Sequence, residues 1–333
     1  MELSPELASR VERASSDDLA ELAALRVEQG WHASEALLRA IHTWAHGRHF
    51  ILRASALGDD AALDPTTIIA ATSAIVAGPV AVIGNVITRP GLRGRGLGRA
   101  VMSATLAWLR EHGARSVLLD ATSAGQPLYQ KLGFVARERS WIAYASLASL
   151  DLAVLQARAG AIPVQLRAMD DLPVVAALDQ AAFGGDRLEL LRLVASASDS
   201  WLYTADGAGE PDGYLLVRAL EPPRMGVRLG PWVAKTAGVG AALLAATLRP
   251  DAPWQAGIAK NNGCQVSFST SAASAEALSL FRAIGGTLEL DDVVMRLDFD
   301  SDISGETGLA NATMRPIAEH PEWLYSWLAA MVF

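Results

Sequence analysis

The segment Arg89-Pro90-Gly91-Leu92-Arg93-Gly94-Arg95-Gly96-Leu97-Gly98-Arg99 is where this chain is best equipped for chemistry. A β-branched run, Val86-Ile87-Thr88, precedes it, and a helical pattern, Ala100 to Leu109, follows at once. Glycine lets a backbone bend tightly and approach a ligand closely. The first-turn N–H groups of a helix have no intrahelical partner, and the helix dipole adds positive potential there. The chain carries a net charge of −8, so four arginines with no acidic residue among them are a local exception that calls for an anion. The ligand implied carries phosphates. A P-loop would need Lys-Ser or Lys-Thr after the glycines, and none follows. A dinucleotide fingerprint would need a third small residue, and Arg99 or Val101 stands there instead.

The pattern that fits is R-x-x-G-x-G/A, met by Arg93-Gly94-Arg95-Gly96-Leu97-Gly98. A second motif follows the apolar strand Ser116–Ala121: Pro127-Leu128-Tyr129-Gln130-Lys131-Leu132-Gly133-Phe134, of the form L-Y-x-K-x-G-F. In this order and spacing the two resemble the GNAT superfamily of acetyl-CoA-dependent N-acetyltransferases, over residues 10–145. The resemblance implies acetyl-CoA as co-substrate and no metal. It implies that backbone N–H groups from Arg93, Gly94, Arg95, Gly96, Leu97, Gly98 and Arg99 hold the pyrophosphate. Main-chain groups of Val86, Ile87 and Thr88 would serve the thioester and pantetheine arm, provided the neighbouring strand splays away. Thr122 stands where many members carry a CoA-contacting Asn.

Transfer to an amine also needs a proton donor for the leaving thiolate and a base for the amine. Tyr129 is the candidate acid; its plainer role is packing beside Leu128 and Leu132. Asp120, nine residues earlier at a strand end, is the candidate base, or else a carboxylate capping the next turn. Glu28 is the alternative base at the acceptor site. Trp31 and His32 would wall the acceptor pocket, or the tryptophan staples two helices together. His42, His46 and His49 invite a metal reading, but the H-E-x-x-H motif is absent, and their spacing predicts an exposed polar face.

The elements that must position these groups read as an α+β pattern. A short strand near Val11–Arg13 leads to a helix from Asp17-Asp18 to Val27, with Ser16 as its N-cap. A second helix runs from Ser34 to Trp44. Strands follow at His49–Ala54, Thr67–Val76 and Val80–Thr88, then a helix over 98–112, a strand over 116–121, a helix over 125–132 and terminal strands to Tyr144. The second half repeats the first faintly: Arg167–Leu172, Val239–Leu248 and Leu280–Gly285 match Arg13–Leu19, Leu97–Leu106 and Leu128–Gly133 in the same order. Where the first copy has its arginine loop, the second has only Lys235-Thr236-Ala237-Gly238, and Phe281 replaces Tyr129. The expectation is two tandem GNAT-like domains, each a mixed, mostly antiparallel sheet flanked by helices. Residues 1–146 form the catalytic domain, 147–162 a linker, 163–300 a degenerate domain and 301–333 a tail with a docked apolar end.

With 333 residues, 51% of them hydrophobic, the chain can bury two cores. Its longest apolar stretch, Ile68 to Gly84, is split by Gly78-Pro79 into a hairpin, too short in each half to span a bilayer. No secretory signal is visible, and the lone Cys264 fits a reducing cytoplasm. The acidic balance argues against a nucleic-acid partner. The tail's apolar end docks on a domain or on a second subunit, which leaves a homodimer open. The function expected is acetyl transfer to a primary amine of a small molecule or peptide; the alternative is an acyl-CoA-binding or sensing protein without turnover.

Overall fold

The computed structural model describes residues 5–31, 34–60, 63–207, 210–220, 226–258, 264–271, 274–299 and 324–326. After a short helix α1 (Pro5–Ser9), the first repeat runs β1 (Glu12–Arg13), α2 (Leu19–Glu28), α3 (Glu35–Thr43), β2 (Gly47–Arg53), β3 (Ile68–Ala77), β4 (Val80–Thr88), α4 (Leu97–Glu111), β5 (Ser116–Ala121), α5 (Gln126–Lys131) and β6 (Val135–Ser146). Helix α6 (Leu152–Ala159) leads to the second repeat: β7 (Val164–Arg167), α7 (Ala176–Phe183), α8 (Leu188–Ser196), β8 (Ser200–Asp206), β9 (Pro211–Ala219), β10 (Gly226–Ala234), α9 (Ala237–Thr247), α10 (Pro253–Ile258), β11 (Gln265–Ser271), α11 (Ala275–Ala283) and β12 (Thr287–Asp298). Apart from α10, the element order of the first repeat recurs. A last short strand, β13 (Leu324–Ser326), lies in the tail.

Local chemistry sets several boundaries. Ser15, not Ser16, opens the first long helical segment: its backbone N–H and hydroxyl both donate to Asp18 at 2.8 Å, a capping box. Ser34 caps α3 by accepting from Leu37 N at 3.1 Å. The segment read as a linker contains α6, whose Leu155 is fully buried against the second core, so it is an ordered part of that domain.

The two repeats share one sheet because they exchange their last strands. The order is β1-β2-β3-β4-β5-β12-β6-β11-β10-β9-β8-β7. Strand β12 of the second repeat lies antiparallel beside β5 of the first, with Val294 opposite Asp120. Strand β6 of the first lies beside β11 of the second, with Ile142 opposite Ser269. The apolar faces fuse as well: Ile75, Val82 and Leu118 share a core with Leu191, Val194 and Leu216. Trp44 donates its indole N–H to Glu189 across this junction at 2.8 Å. The approach is so close that a Cβ on Gly185 would sit 2.0 Å from the carbonyl oxygen of Ala77, which only glycine avoids. No helix among the described residues is long and apolar enough to cross a membrane.

Candidate functional site

A cavity of about 860 Å³ opens where β4 and β5 part. The two strands pair in parallel only at Val80–Val82 with Ser116–Leu118, and then diverge. Beyond that point Val86, Ile87 and Thr88 line the cavity, and this edge of β4 is not committed to β5. On its other edge β4 pairs with β3 through a register shift between Ala71 and Ser73, so the backbone bulges at Asn85, whose φ is +52°.

The bulge is held by a directional chain of hydrogen bonds. Buried Arg26 donates to Asn85 Oδ1, Asn85 donates to Ser73 Oγ at 2.8 Å, and Ser73 lies 2.7 Å from His49 Nδ1. His49 Nε2 is 2.9 Å from the carbonyl of Leu38, which can only accept, so Nε2 carries the proton and Nδ1 accepts from Ser73. Burial pushes the His49 pKa down to about 4 and keeps the ring neutral. The expected exposed histidine face is therefore wrong for His49, which is 1% exposed and serves the bulge. Neither Arg26 nor His49 carries a motif that would have revealed this.

Helix α4 meets the cavity with an open N-terminus. Its N-cap is Gly96 at φ +82°, which supplies no side-chain acceptor for the first-turn N–H groups. Gly94, also at positive φ, lets the loop turn before it. Arg93, Gly94, Gly96, Leu97, Gly98 and Arg99 line the cavity. Leu97 contributes backbone alone, since its side chain is buried in the core. Arg99 Nε is buried without a hydrogen-bond partner. Arg93 donates to Thr88 O and to Gln29 Oε1.

Two expectations about charge are corrected. Arg89 is not held for an anion: it binds Glu28 at 2.8 Å and Glu21 at 3.1 Å, both supplied by α2. One of the four arginines of the loop is thus neutralised by acidic residues of another helix. The same pair removes Glu28 from the candidate bases, because its carboxylate is bidentate on Arg89 and does not line the cavity. Arg95 lies exposed outside the cavity lining. Trp31 does line the cavity, and His32 lies outside the described residues.

Across the cavity, Asp120, Thr122 and Tyr129 come together. Thr122 Oγ1 accepts from Gly125 N at 3.3 Å and so helps start α5. Tyr129 follows on α5, 6% exposed, with its ring edge-on to Phe134. A Cβ on Gly125 would stand 2.8 Å from that ring, so the glycine makes room for it. Burial, reinforced by Asp292, pushes the Tyr129 phenol above its ordinary pKa. Burial raises Asp120 to about 7; the Ser140 hydroxyl bonded to it and Arg228 oppose the rise, while Asp292 and Glu138 add to it. One Asp120 oxygen, Oδ1, is buried without a partner. A carboxyl poised near neutrality and a protonated phenol that line one cavity have the form of a base and an acid. Ser140 and Asp292 arrive through the strand exchange, so no local motif could have announced them.

Comparison with known proteins decides the family. A profile of the acetyltransferase (GNAT) family matches residues 18–134, and a second profile, of an acetyltransferase (GNAT) domain, matches residues 175–297. The chain belongs to the GNAT superfamily. It carries two tandem GNAT domains. An uncharacterized N-acetyltransferase, YitH of Bacillus subtilis, is 30% identical over 164 residues, covering 49% of this chain and 54% of YitH. A glucosamine 6-phosphate N-acetyltransferase of Trypanosoma brucei brucei is 40% identical over 57 residues, 17% of this chain and 39% of that protein. The matches thus span about half or less of those relatives. Among solved structures, a putative acetyltransferase from Pyrococcus horikoshii aligns over 95% of this chain and 92% of its own, with TM-score 0.66 and 17% identity. A tandem GNAT protein from the clavulanic acid biosynthesis pathway aligns over 86% and 98%, with TM-score 0.57 and 16% identity. At such identities the likeness is one of fold.

The second GNAT domain closes what the first leaves open. Thr236 caps α9 and accepts from Val239 N at 3.2 Å, which occupies a donor that Gly96 leaves free in α4. Strands β10 and β11 also pair only at their start, Gly226–Arg228 with Gln265–Ser267. Beyond that point β13 of the tail pairs antiparallel with β10, Leu324 opposite Val233 and Ser326 opposite Trp232. The gap that opens between β4 and β5 is thus taken by the chain itself between β10 and β11. Phe281, the counterpart of Tyr129, is fully buried edge-on against Phe268.

Proposed function

We propose that this protein transfers an acetyl group from acetyl-CoA to a primary amine of a small molecule or peptide, with all the chemistry in the first GNAT domain. The observation that carries the reading is the parting of β4 from β5 beside the uncapped α4 helix, with Asp120 and Tyr129 in the same cavity. Bound acetyl-CoA supplies the activated acyl group as a thioester. The N–H groups opening α4 and the buried Arg99 Nε suit its pyrophosphate. The free edge of β4 at Val86–Thr88 offers donors to the acyl oxygen as charge develops on it.

Asp120, with a pKa near 7, takes the proton from an entering ammonium at neutral pH. Tyr129 donates to the departing thiolate. Its raised pKa keeps that donor proton in place at every working pH. The closed notch of the second domain supports one molecule of acetyl-CoA per chain. The test follows CoA thiol release from acetyl-CoA with a panel of amines. Turnover that falls in Tyr129→Phe while acetyl-CoA affinity holds supports the proposal. Tight acetyl-CoA binding with no turnover on any amine would instead favour a sensor.

A further inference from the structure

The floor of the cavity extends beyond the first domain, across six neighbouring strands of the shared sheet, in the order β5-β12-β6-β11-β10-β9. At one end stand Asp120 on β5 and Asp292 on β12. At the other stand Arg228 on β10 and Arg218 on β9, and all four line the same cavity. The arginines are direct cross-strand neighbours, Arg228 opposite Arg218. Ser267 of β11 lies opposite Arg228 in the same row, and Arg228 donates to Ser269 at 2.5 Å. Like charges placed directly opposite on a sheet repel. Burial sharpens the cost here: Arg218 is 8% exposed, and desolvation followed by repulsion from Arg228 lowers its pKa to about 9. Beside this row the hydroxyl of Ser198, on the turn before β8, is buried in the cavity wall without a hydrogen-bond partner.

An anion between the two guanidinium groups would relieve the repulsion and engage these hydroxyls. The acidic end of the floor, where the base sits, suits an ammonium. Strands lie about 4.8 Å apart, and Asp292 shares a row with Ser140 and Ser271, four residues along β11 from the Ser267 that faces Arg228, so their backbones stand about 19 Å apart on the diagonal of the sheet. Side chains reach in from both ends, leaving a gap that suits a small molecule with its two charges several bonds apart. We infer that the acceptor is a small amine bearing a carboxylate or phosphate, and that Arg218 and Arg228 of the second domain bind this anionic group. The inference rests on the acetyl-transfer reading and gives the second domain a part in choosing the substrate.

The experiment compares matched amines with acetyl-CoA: 2-aminoethyl phosphate against ethanolamine, and 4-aminobutyrate against 4-aminobutanamide. The two pairs separate a phosphate from a carboxylate. The expected result is a preference of roughly 10- to 100-fold in kcat/KM for the anionic member of at least one pair. Arg228→Gln should raise KM for that amine by a similar factor and so cut the preference for the anionic over the neutral member, while any change in kcat from the charge Asp120 feels at Arg228 falls on both members alike. Arg228→Lys, which keeps the charge, should recover part of the loss and serves if the glutamine variant folds poorly. Equal use of charged and neutral amines, or an unchanged KM in Arg228→Gln, would overturn the inference and leave the acetyl-transfer reading standing. If acetyl-CoA binds and no amine turns over, that reading fails instead. Calorimetric binding of 2-aminoethyl phosphate and 4-aminobutyrate to the CoA-loaded protein then decides the anion site by itself: binding lost in Arg228→Gln supports it, and no binding refutes it.

Discussion

Asp120→Asn separates the folding of this protein from its chemistry. A buried carboxyl whose folded pKa is raised holds its proton while the unfolded chain has already released it. Between the two pKa values the folded state binds more protons, so stability falls as pH rises. For Asp120 the window runs from the ordinary value of 3.8 to about 7. A shift of about 3 units at 1.36 kcal/mol each sets the cost at about 4 kcal/mol at most. It is absent below the lower pKa, grows across the window and is complete above pH 7. Asparagine keeps the shape and removes the charge, so Asp120→Asn is more stable than wild type by an amount that grows from pH 4 to pH 7 and then levels. Titrating groups that do not interact with Asp120 cancel in the difference between the two proteins. Urea unfolding of both at pH 4, 5.5, 7 and 8.5 reads this difference, and thiol release reads activity in the same samples. The variant should lose turnover as it gains stability, and wild-type kcat/KM should rise with pH to a plateau above about 7. A stability difference that does not change with pH would refute the raised Asp120 carboxyl, and a variant that turns over at the wild-type rate would refute its part as base.

Other consequences are equally direct. Tyr129→Phe lowers kcat by about 100-fold, the scale of a positioned proton donor, and leaves the acetyl-CoA Kd unchanged. Gly96→Ala forces a side chain into φ +82° at the mouth of α4. It costs about 1–2 kcal/mol in denaturant unfolding and weakens acetyl-CoA in a binding titration. Glu28→Gln leaves kcat unchanged in the thiol assay, because its carboxylate serves Arg89. Asp179→Ala strips the partner from Arg187, whose side chain is fully buried, and removes the acceptor of the Tyr214 hydroxyl. Unfolding should register a loss of about 3–5 kcal/mol with kcat intact wherever the variant still folds.

What the sequence disclosed was local. The β-branched runs became β3 and β4, the glycine loop became the open mouth of α4, and the duplication was readable because helix and turn residues recur in order. The divergence of β4 and β5 could be stated only as a condition, because alternation marks a strand without naming its partner. The strand exchange was invisible for the same reason. The pairings of β12 with β5 and of β6 with β11 join segments more than 100 residues apart, and nothing in their side-chain pattern selects one edge over another. Ser140, Asp292, Arg218 and Arg228 reach the cavity only through that exchange. Glu28 failed as a candidate because Arg89, counted among the free cations of the loop, needed a partner from α2. His49 misled because its spacing resembles an exposed face, while its strand turns it inward to a serine and a carbonyl.

If the proposed function holds, this chain keeps one acyl-CoA site, in its first GNAT domain, and closes the counterpart in its second with Thr236 and the tail strand. Calorimetric titration of the full chain with acetyl-CoA tests it most directly. One molecule should bind per chain, with affinity weakened in Gly96→Ala and kept in Thr236→Ala. Two molecules per chain, or a single one whose binding follows Thr236 and ignores Gly96, would contradict it.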